Sequence, residues 1–185
     1  VAALCESTGA NINEVEKAIG ADSRIGNKFL KAGPGFGGSC FKKDILNIVY
    51  LSNFYGLKEV ADYWNQVVLI NNWTRHRISK IIVNKLFGTV SGKKLSILGF
   101  SFKANTNDTR ESSAIQICNN LLEEGAELVI YDPKVSYRKI EEDLIQKEKI
   151  PINQIVSEGS WSKANTIEEA AENSDAIIVL TEWDM

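Results

Sequence analysis

Apolar residues recur at helical spacing through the first half of the chain and gather in short runs through the second. Val1–Cys5 reads as the closing turns of a helix. Asn11-Ile12-Asn13-Glu14 has the layout of a capping box, with an acid three residues after a cap residue. Ile12, Val15 and Ile19 follow at helical intervals, and Gly20 can end that helix. A loop is expected from Ala21 to Ser39. A second helix is predicted from Cys40 to Tyr55, with Ile45, Ile48, Val49 and Ser52 on one side and Gly56 as its stop. A long helix is predicted from Lys58 to Phe87, about 45 Å in length. Its apolar positions Val60, Trp64, Val67, Ile70, Ile78, Ile81 and Ile82 exceed what one short face can use. A helix of this kind in a small module spans two domains or packs in a dimer.

From Lys93 the pattern changes. Leu95–Leu98 is a short apolar run ending at Gly99, which predicts a buried strand. Asp108–Glu111 is expected to cap a helix carrying Ala114, Ile115, Cys118, Leu121 and Leu122, closed by Gly125. A strand follows at Leu128–Tyr131, then helical pattern at Arg138–Gln146 and Ile167–Glu172, then a buried strand at Ala176–Thr181. Strands alternating with helices imply a parallel sheet with crossover helices. The expected fold class is therefore α/β. Residues 1–90 read as an all-helical central region with a long connecting helix. Residues 91–185 read as an incomplete doubly wound, Rossmann-like unit. The chain reads as a fragment of a longer protein, because it starts inside a helix and stops just after a strand.

The 185 residues carry 44% apolar and 24% charged side chains, an ordinary globular mixture. No run of about 18 apolar residues occurs, so no membrane span is expected. The net charge of −3 argues against a nucleic-acid binder. That total conceals a split. Residues 1–92 hold 11 Lys/Arg against 7 Asp/Glu, and residues 93–185 hold 10 against 17. Three unpaired cysteines, Cys5, Cys40 and Cys118, with one histidine, fit a reducing cytoplasmic compartment and give no metal-ligand cluster.

The candidate chemistry lies in Gly33-Pro34-Gly35-Phe36-Gly37-Gly38-Ser39-Cys40. Glycines at 33, 35 and 38 match G-x-G-x-x-G, but no strand precedes them, as a dinucleotide fingerprint requires. Backbone without Cβ can approach a ligand and offer bare N–H groups; a plain linker is the alternative. Cys40 stands where the loop becomes a helix. The helix start and the neighbouring Lys42 and Lys43 favour a thiolate, the nucleophilic form; a buried inert thiol is the alternative. Asp44, one turn on, can order a water or hold a lysine, or be a surface acid. Arg24, Lys28 and Lys31 flank the loop and suit a diphosphate, or form a solvated charge run. Phe102 and Lys103 follow the Leu95–Gly99 strand at the ligand-facing edge of an open α/β sheet, and Arg110 is near the next helix. Stacking on a base and contact with phosphate, or ordinary packing, are both open to them. Cys5 and Cys118 fall at apolar helix positions and read as core. His76 reads as an exposed helix residue.

GFGGSCFKKD at Gly35–Asp44 resembles the active-site segment of the UDP-glucose 6-dehydrogenase branch of the UDP-glucose/GDP-mannose dehydrogenase family. RIGNKFLKA (Arg24–Ala32), LGFSFKANTNDTRESS (Leu98–Ser113), YDPKV (Tyr131–Val135) and TEWDM (Thr181–Met185) agree with it in family order. The resemblance implies oxidation of UDP-glucose to UDP-glucuronate with NAD, through a thiohemiacetal and a thioester on Cys40 assisted by Asp44. It implies substrate contacts at Arg24, Lys31, Ala32, Gly33, Pro34, Gly35, Phe36, Gly37, Phe102 and Lys103. It implies NAD contacts at Cys40, Phe41, Lys42, Lys43 and Arg110, and a homodimer through the long helix. It also implies that the amino-terminal NAD-binding domain lies outside this chain, so that the chain alone is inactive. Gly33-Pro34, Lys42 and Ala104-Asn105 depart from the family's commoner residues. A dehydrogenase of another nucleotide sugar and a non-catalytic nucleotide-sugar-binding or dimerisation module remain alternatives.

Overall fold

The computed structural model describes residues 1–145 and 159–183. The predicted helix residue Gln146 and the motif residues Asp184 and Met185 lie outside the described residues. The chain forms two units, Val1–Gly33 and Pro34–Met185.

The first unit holds α1 (Ala2–Thr8) and α2 (Ile12–Gly20). The side chain of Asn11 accepts from the Asn13 N–H at 3.0 Å and starts α2, as the capping pattern predicts. Gly20 is the last helical residue and Ala21 the cap. Gly20 stays small because a Cβ there would lie 3.1 Å from that of Asn27.

In the second unit, α3 (Phe41–Phe54) and α4 (Lys58–Lys85) pack as a helical hairpin. The buried stripe of α4 is Ala61, Val68, Asn71, Arg75 and Ser79. That stripe corrects the apolar pattern: Val60 and Ile70 are exposed, and polar side chains take the inner positions. The reason is that the middle of α4 meets backbone of a loop, which demands hydrogen-bonding partners. Ile48, expected inside α3, is also exposed.

Four strands, β1 (Lys94–Leu98), β2 (Glu127–Tyr131), β3 (Ser160–Lys163) and β4 (Ala176–Val179), make an all-parallel sheet in the order β3-β2-β1-β4. Leu95 and Ile97 of β1 and Leu128 and Ile130 of β2 point to one face. There they pack with Ile117, Cys118 and Leu121 of α5 (Ser113–Glu123), with Ile140 and Leu144 of α6 (Tyr137–Ile145), and with Ile78, Ile82 and Val83 of α4. Leu98 and Val129 point to the other face and pack with Ala164 and with Ala170 of α7 (Ile167–Ala171). The carboxyl-terminal half of α4 is thus a layer of the sheet domain.

Two sequence expectations change, and one strand is new. β3 reads Ser-Trp-Ser-Lys, too polar for a predicted strand, yet it pairs with β2 at the sheet edge, where one side needs no burial. β4 is an edge strand among the described residues, and Ile177 and Val179 are 56% and 58% exposed, so it is not buried. The cap of α5 is Ser112, whose hydroxyl accepts from the Ala114 N–H, and not Asp108–Glu111. Asp108 is occupied by Arg110, and Glu111 adopts a left-handed φ of 55° that a helix cannot continue through.

Candidate active site

The chain runs β1, β2, β3 outward and returns on the other side of β1 as β4. Ligands of such sheets bind beyond the carboxyl ends of the strands where the order reverses. At that point Gly99 has φ 92°, and a Cβ on it would lie 2.4 Å from the Cβ of Thr181. The Thr181 hydroxyl donates to the Ser101 carbonyl at 2.7 Å. Phe102 and Lys103 leave the sheet here, with the Lys103 ammonium 5.4 Å from the centre of the Phe102 ring.

Asp132, at the end of β2, organises this edge. It is buried, and one carboxylate oxygen accepts from the N–H groups of Phe100 and Ser101 at 2.8 and 3.0 Å and from Trp183 Nε1 at 3.3 Å. The other oxygen accepts from the N–H groups of Lys134 and Val135 at 2.9 and 3.0 Å. A buried carboxylate is tolerated when it is this fully hydrogen-bonded.

The glycine segment of the second unit is seated on α4 and on the loop between β1 and α5. Asn71 Nδ2 donates to the Phe36 carbonyl at 3.0 Å, and the Phe36 N–H donates to Asn71 Oδ1 at 2.9 Å. Arg75 Nη2 donates to the carbonyls of Phe36 and Glu111 at 2.8 and 2.7 Å, and Arg75 Nε donates to the Ser113 hydroxyl at 3.2 Å. The Gly38 N–H donates to the Arg110 carbonyl at 2.8 Å. The glycines allow this contact. A Cβ at Gly37 would lie 2.5 Å from the Glu111 carbonyl oxygen, and one at Gly38 would lie 3.1 Å from the Phe102 ring. Their missing side chains make room for protein, and the Phe36 and Gly38 N–H groups are used internally.

Cys40 is the exposed N-cap of α3, and its carbonyl accepts from the Asp44 N–H at 2.9 Å. Its sulfur lies 3.5 Å from the Ser39 hydroxyl, at the positive end of the helix dipole. Phe36 and Phe41 brace the loop against the helix start, with an edge-on contact at 4.7 Å between ring centres. Asp44 and Lys43 are exposed in the first turn. Lys42 is directed at Glu111: its ammonium sits 2.9 Å from both carboxylate oxygens.

Arg110 is exposed and holds Asp108 through Nε and Nη2, the latter at 2.7 Å. That pairing raises the Arg110 guanidinium above its ordinary value, with Cys40 adding a lesser push in the same direction. Asp108 is correspondingly lowered, chiefly by the Arg110 hydrogen bond. Arg75, by contrast, is pushed down by burial against the opposing pull of Glu111.

Arg24, Lys31, Ala32 and Gly33 belong to the first unit, where Arg24 pairs with Asp22 at 2.6 Å. Pro34, Gly35, Phe36 and Gly37 belong to the second, together with Cys40, Asp44, Phe102, Lys103 and Arg110. Sequence reasoning passed over Asn71, Arg75, Glu111 and Asp132. Asn71, Asn72, Thr74, Arg75, His76 and Arg77 make this stretch of helix polar on every side, so no local signal marks the two that face inward.

A cofactor cradle for a whole dinucleotide is not formed by these residues. The strand–glycine turn at Gly99 is filled by Thr181, and the spaces at Gly37 and Gly38 are filled by Glu111 and Phe102. What fits is an edge contact, the exposed guanidinium of Arg110 toward a phosphate. Among the described residues no cluster of His, Cys, Asp or Glu could hold a metal ion.

The sequence matches two domain models of one family, the central domain over residues 1–73 and the UDP binding domain over residues 96–185. It is 47% identical to UDP-glucose 6-dehydrogenase 1 of Arabidopsis thaliana and 51% identical to UDP-glucose 6-dehydrogenase of Bos taurus. All of this chain is aligned in each case, against 40% and 37% of those relatives' lengths. A UDP-glucose dehydrogenase from the hyperthermophilic archaeon Pyrobaculum islandicum superposes with a TM-score of 0.74 at 28% identity, over 96% of this chain and 37% of that one. The helical hairpin, the parallel sheet with its reversal beside β1 and the loop leading to Cys40 are thus the shared parts of a dehydrogenase architecture, and the chain belongs to the UDP-glucose/GDP-mannose dehydrogenase family.

Proposed function

We propose that the full-length protein oxidises UDP-glucose to UDP-glucuronate, and that Cys40 carries the covalent step. The observation that carries this reading is an exposed cysteine at a helix start, reached from a glycine loop that is pinned to the ligand-binding edge of the sheet. In this reading, NAD+ when bound supplies the hydride acceptor for two successive oxidations at C6. This chain's share of its binding falls to Cys40–Lys43 at the start of α3 and to Arg110.

The Cys40 sulfur adds to the C6 carbon of the aldehyde, and the carbonyl oxygen becomes the hydroxyl of a thiohemiacetal. Oxidation of that carbon leaves a thioester on the sulfur. Water then breaks the C–S bond, releasing the carboxylate and returning the thiolate. Covalent capture divides one hard oxidation into easier steps. Asp44, one helical turn from Cys40, orients that water. Phe102, Lys103 and the Pro34–Gly37 loop meet the nucleotide sugar at the sheet edge, and Arg24 is offered to the substrate of a neighbouring subunit. Phe41, Lys42 and Lys43 lie beside the cofactor in this scheme.

The same reading assigns residues 1–90 to the catalytic and dimerisation region and 91–185 to UDP-sugar binding. The α3–α4 hairpin leaves Tyr50, Phe54, Tyr63, Ile70 and Trp73 at least half exposed, an apolar surface suited to a second copy of the chain. Among the described residues no helix is long and apolar enough to cross a membrane, and three free cysteines fit a reducing cytoplasmic compartment.

The test is steady-state turnover of full-length wild type and Cys40→Ser with UDP-glucose and NAD+. Wild type is expected to release two NADH per sugar, and the variant to lose turnover by about a thousandfold or more. Normal turnover by Cys40→Ser removes Cys40 from the role. Faster turnover of GDP-mannose or a UDP-N-acetyl sugar than of UDP-glucose reassigns the substrate. The isolated 185-residue chain is expected to produce no NADH.

A further inference from the structure

Glu111 has no place in the scheme above, yet it meets more of the site's framework than any residue that does. It lies in the segment between β1 and α5, one residue after Arg110. It adopts φ 55°, a backbone state costly for a residue with a Cβ. Its carboxylate holds the Lys42 ammonium at 2.9 Å through both oxygens. The same carboxylate stands 3.7 Å from Nη1 of the buried Arg75. Its backbone carbonyl accepts from Arg75 Nη2 at 2.7 Å and occupies the space beside Gly37. Arg75 and Asn71 in turn fix the peptide of Phe36, four residues before Cys40. Lys42 stands two residues after Cys40. The chain on either side of the cysteine is therefore tied to this one residue.

We propose that Glu111 is a positioning residue for Cys40, seating the glycine loop through Arg75 and neutralising the Lys42 charge at the start of α3. The inference rests on the dehydrogenase reading only for its consequence in turnover. The clamp acts on two properties at once. It fixes where the sulfur stands, because the loop before it and the helix after it share one anchor. It also sets the charge around the sulfur, because Glu111 pairs the Lys42 ammonium just as Asp108 pairs the guanidinium of Arg110, whose backbone carbonyl holds Gly38. The strained φ is held because Arg75, Lys42 and the Gly38–Arg110 bond over-determine the segment.

Glu111→Gln in the full-length protein tests this, since glutamine keeps the shape and removes the charge. The first readout is the rate at which iodoacetamide alkylates Cys40 at fixed pH, followed by mass spectrometry with no nucleotide present. Cys40 is already exposed, so access does not limit the rate. Freeing Lys42 is expected to favour the thiolate and raise the rate about threefold, while the buried Cys118 stays unlabelled. The second readout is turnover. kcat is expected to fall about tenfold with the KM for UDP-glucose within about twofold, the signature of lost positioning at the reacting atom. In a Lys42→Met background, Glu111→Gln is expected to leave the alkylation rate of Cys40 unchanged.

An unchanged alkylation rate in Glu111→Gln overturns the proposal. So does an equal acceleration with and without Lys42, or a parallel rise in labelling of Cys118, which marks loosening of the whole domain. The alkylation result needs no sugar or cofactor. A protein that fails to oxidise UDP-glucose yet shows the Lys42-dependent acceleration refutes the substrate reading and leaves the clamp standing.

Discussion

Asn71 and Phe36 pair reciprocally: the side-chain amide gives its N–H to the Phe36 carbonyl and takes the Phe36 N–H on its oxygen, at 3.0 and 2.9 Å. The two residues are 35 positions apart. A helix side chain here imitates the edge of a strand and completes both polar groups of one loop peptide. Asn71→Leu keeps the branched shape, leaves the Phe36 N–H without its acceptor and leaves the Phe36 carbonyl with Arg75 Nη2 alone. The Phe36 N–H is partly buried, so the loss of its acceptor is expected to cost about 1–3 kcal/mol. Hydrogen exchange of the amides from Gly35 to Gly38 is expected to quicken, with little change in the strands of the sheet. Unaltered exchange across that loop would show that the pairing does not hold it.

Gly37 is the tightest point of the same loop. Alanine there would press its Cβ against the Glu111 carbonyl at 2.5 Å and the Phe102 Cβ at 2.9 Å, and neither is the free end of a flexible side chain. Gly37→Ala is expected to displace the loop and destabilise the fold by about 1–3 kcal/mol. At Gly33 a Cβ would meet nothing within 4 Å, and its φ is not left-handed, so Gly33→Ala is expected to be neutral or slightly stabilising. Thermal melting of the two variants side by side checks the contrast.

These contacts also mark what the residue pattern could reveal. Helices α2, α3, α4 and α5 and the strands β1 and β2 follow from apolar residues recurring at each element's own period, and α2 also from its Asn11 cap. The position of Cys40 at a helix start follows from the glycines before it and the apolar rhythm after it. The clamp around it does not. Glu111 reads only as part of a helix cap and Arg75 carries no reading, since the pairing of Arg75 runs to residues 36 and 38 positions distant. β3 is invisible for a related reason: Ser-Trp-Ser-Lys becomes a strand only because β2 offers an unpaired edge. Local periodicity reports faces, and long-range polar pairing leaves no periodic trace.

Asp132 accepts five N–H groups from three separate segments, so it is the keystone of the sheet's carboxyl edge. Asp132→Asn substitutes an amide whose NH2 must face donors. Loss of a buried charged acceptor is expected to cost about 2–4 kcal/mol and to loosen the Phe100–Lys103 turn. Because Phe102 and Lys103 stand on that turn, the KM for UDP-glucose is expected to rise more than kcat falls. A variant that melts with wild type would deny Asp132 this part.

Cys118 provides a pH signature that separates the core from the site. It is fully enclosed on α5, and burial pushes its thiol from an ordinary 9.0 up to about 12. A raised value means the folded protein keeps a proton that the unfolded chain gives up. The stabilising effect is whole below pH 9.0 and is lost as pH rises toward about 12. Each pH unit in that window carries about 1.4 kcal/mol, so the total is at most about 4 kcal/mol. Cys118→Ala removes the titration and introduces a small cavity worth about 1 kcal/mol. The variant is therefore expected to be less stable than wild type near neutral pH and to lose stability less steeply above pH 9.0. Denaturant midpoints measured at neutral and alkaline pH for the two proteins check it, and parallel curves would show that the buried thiol contributes nothing to the alkaline limb.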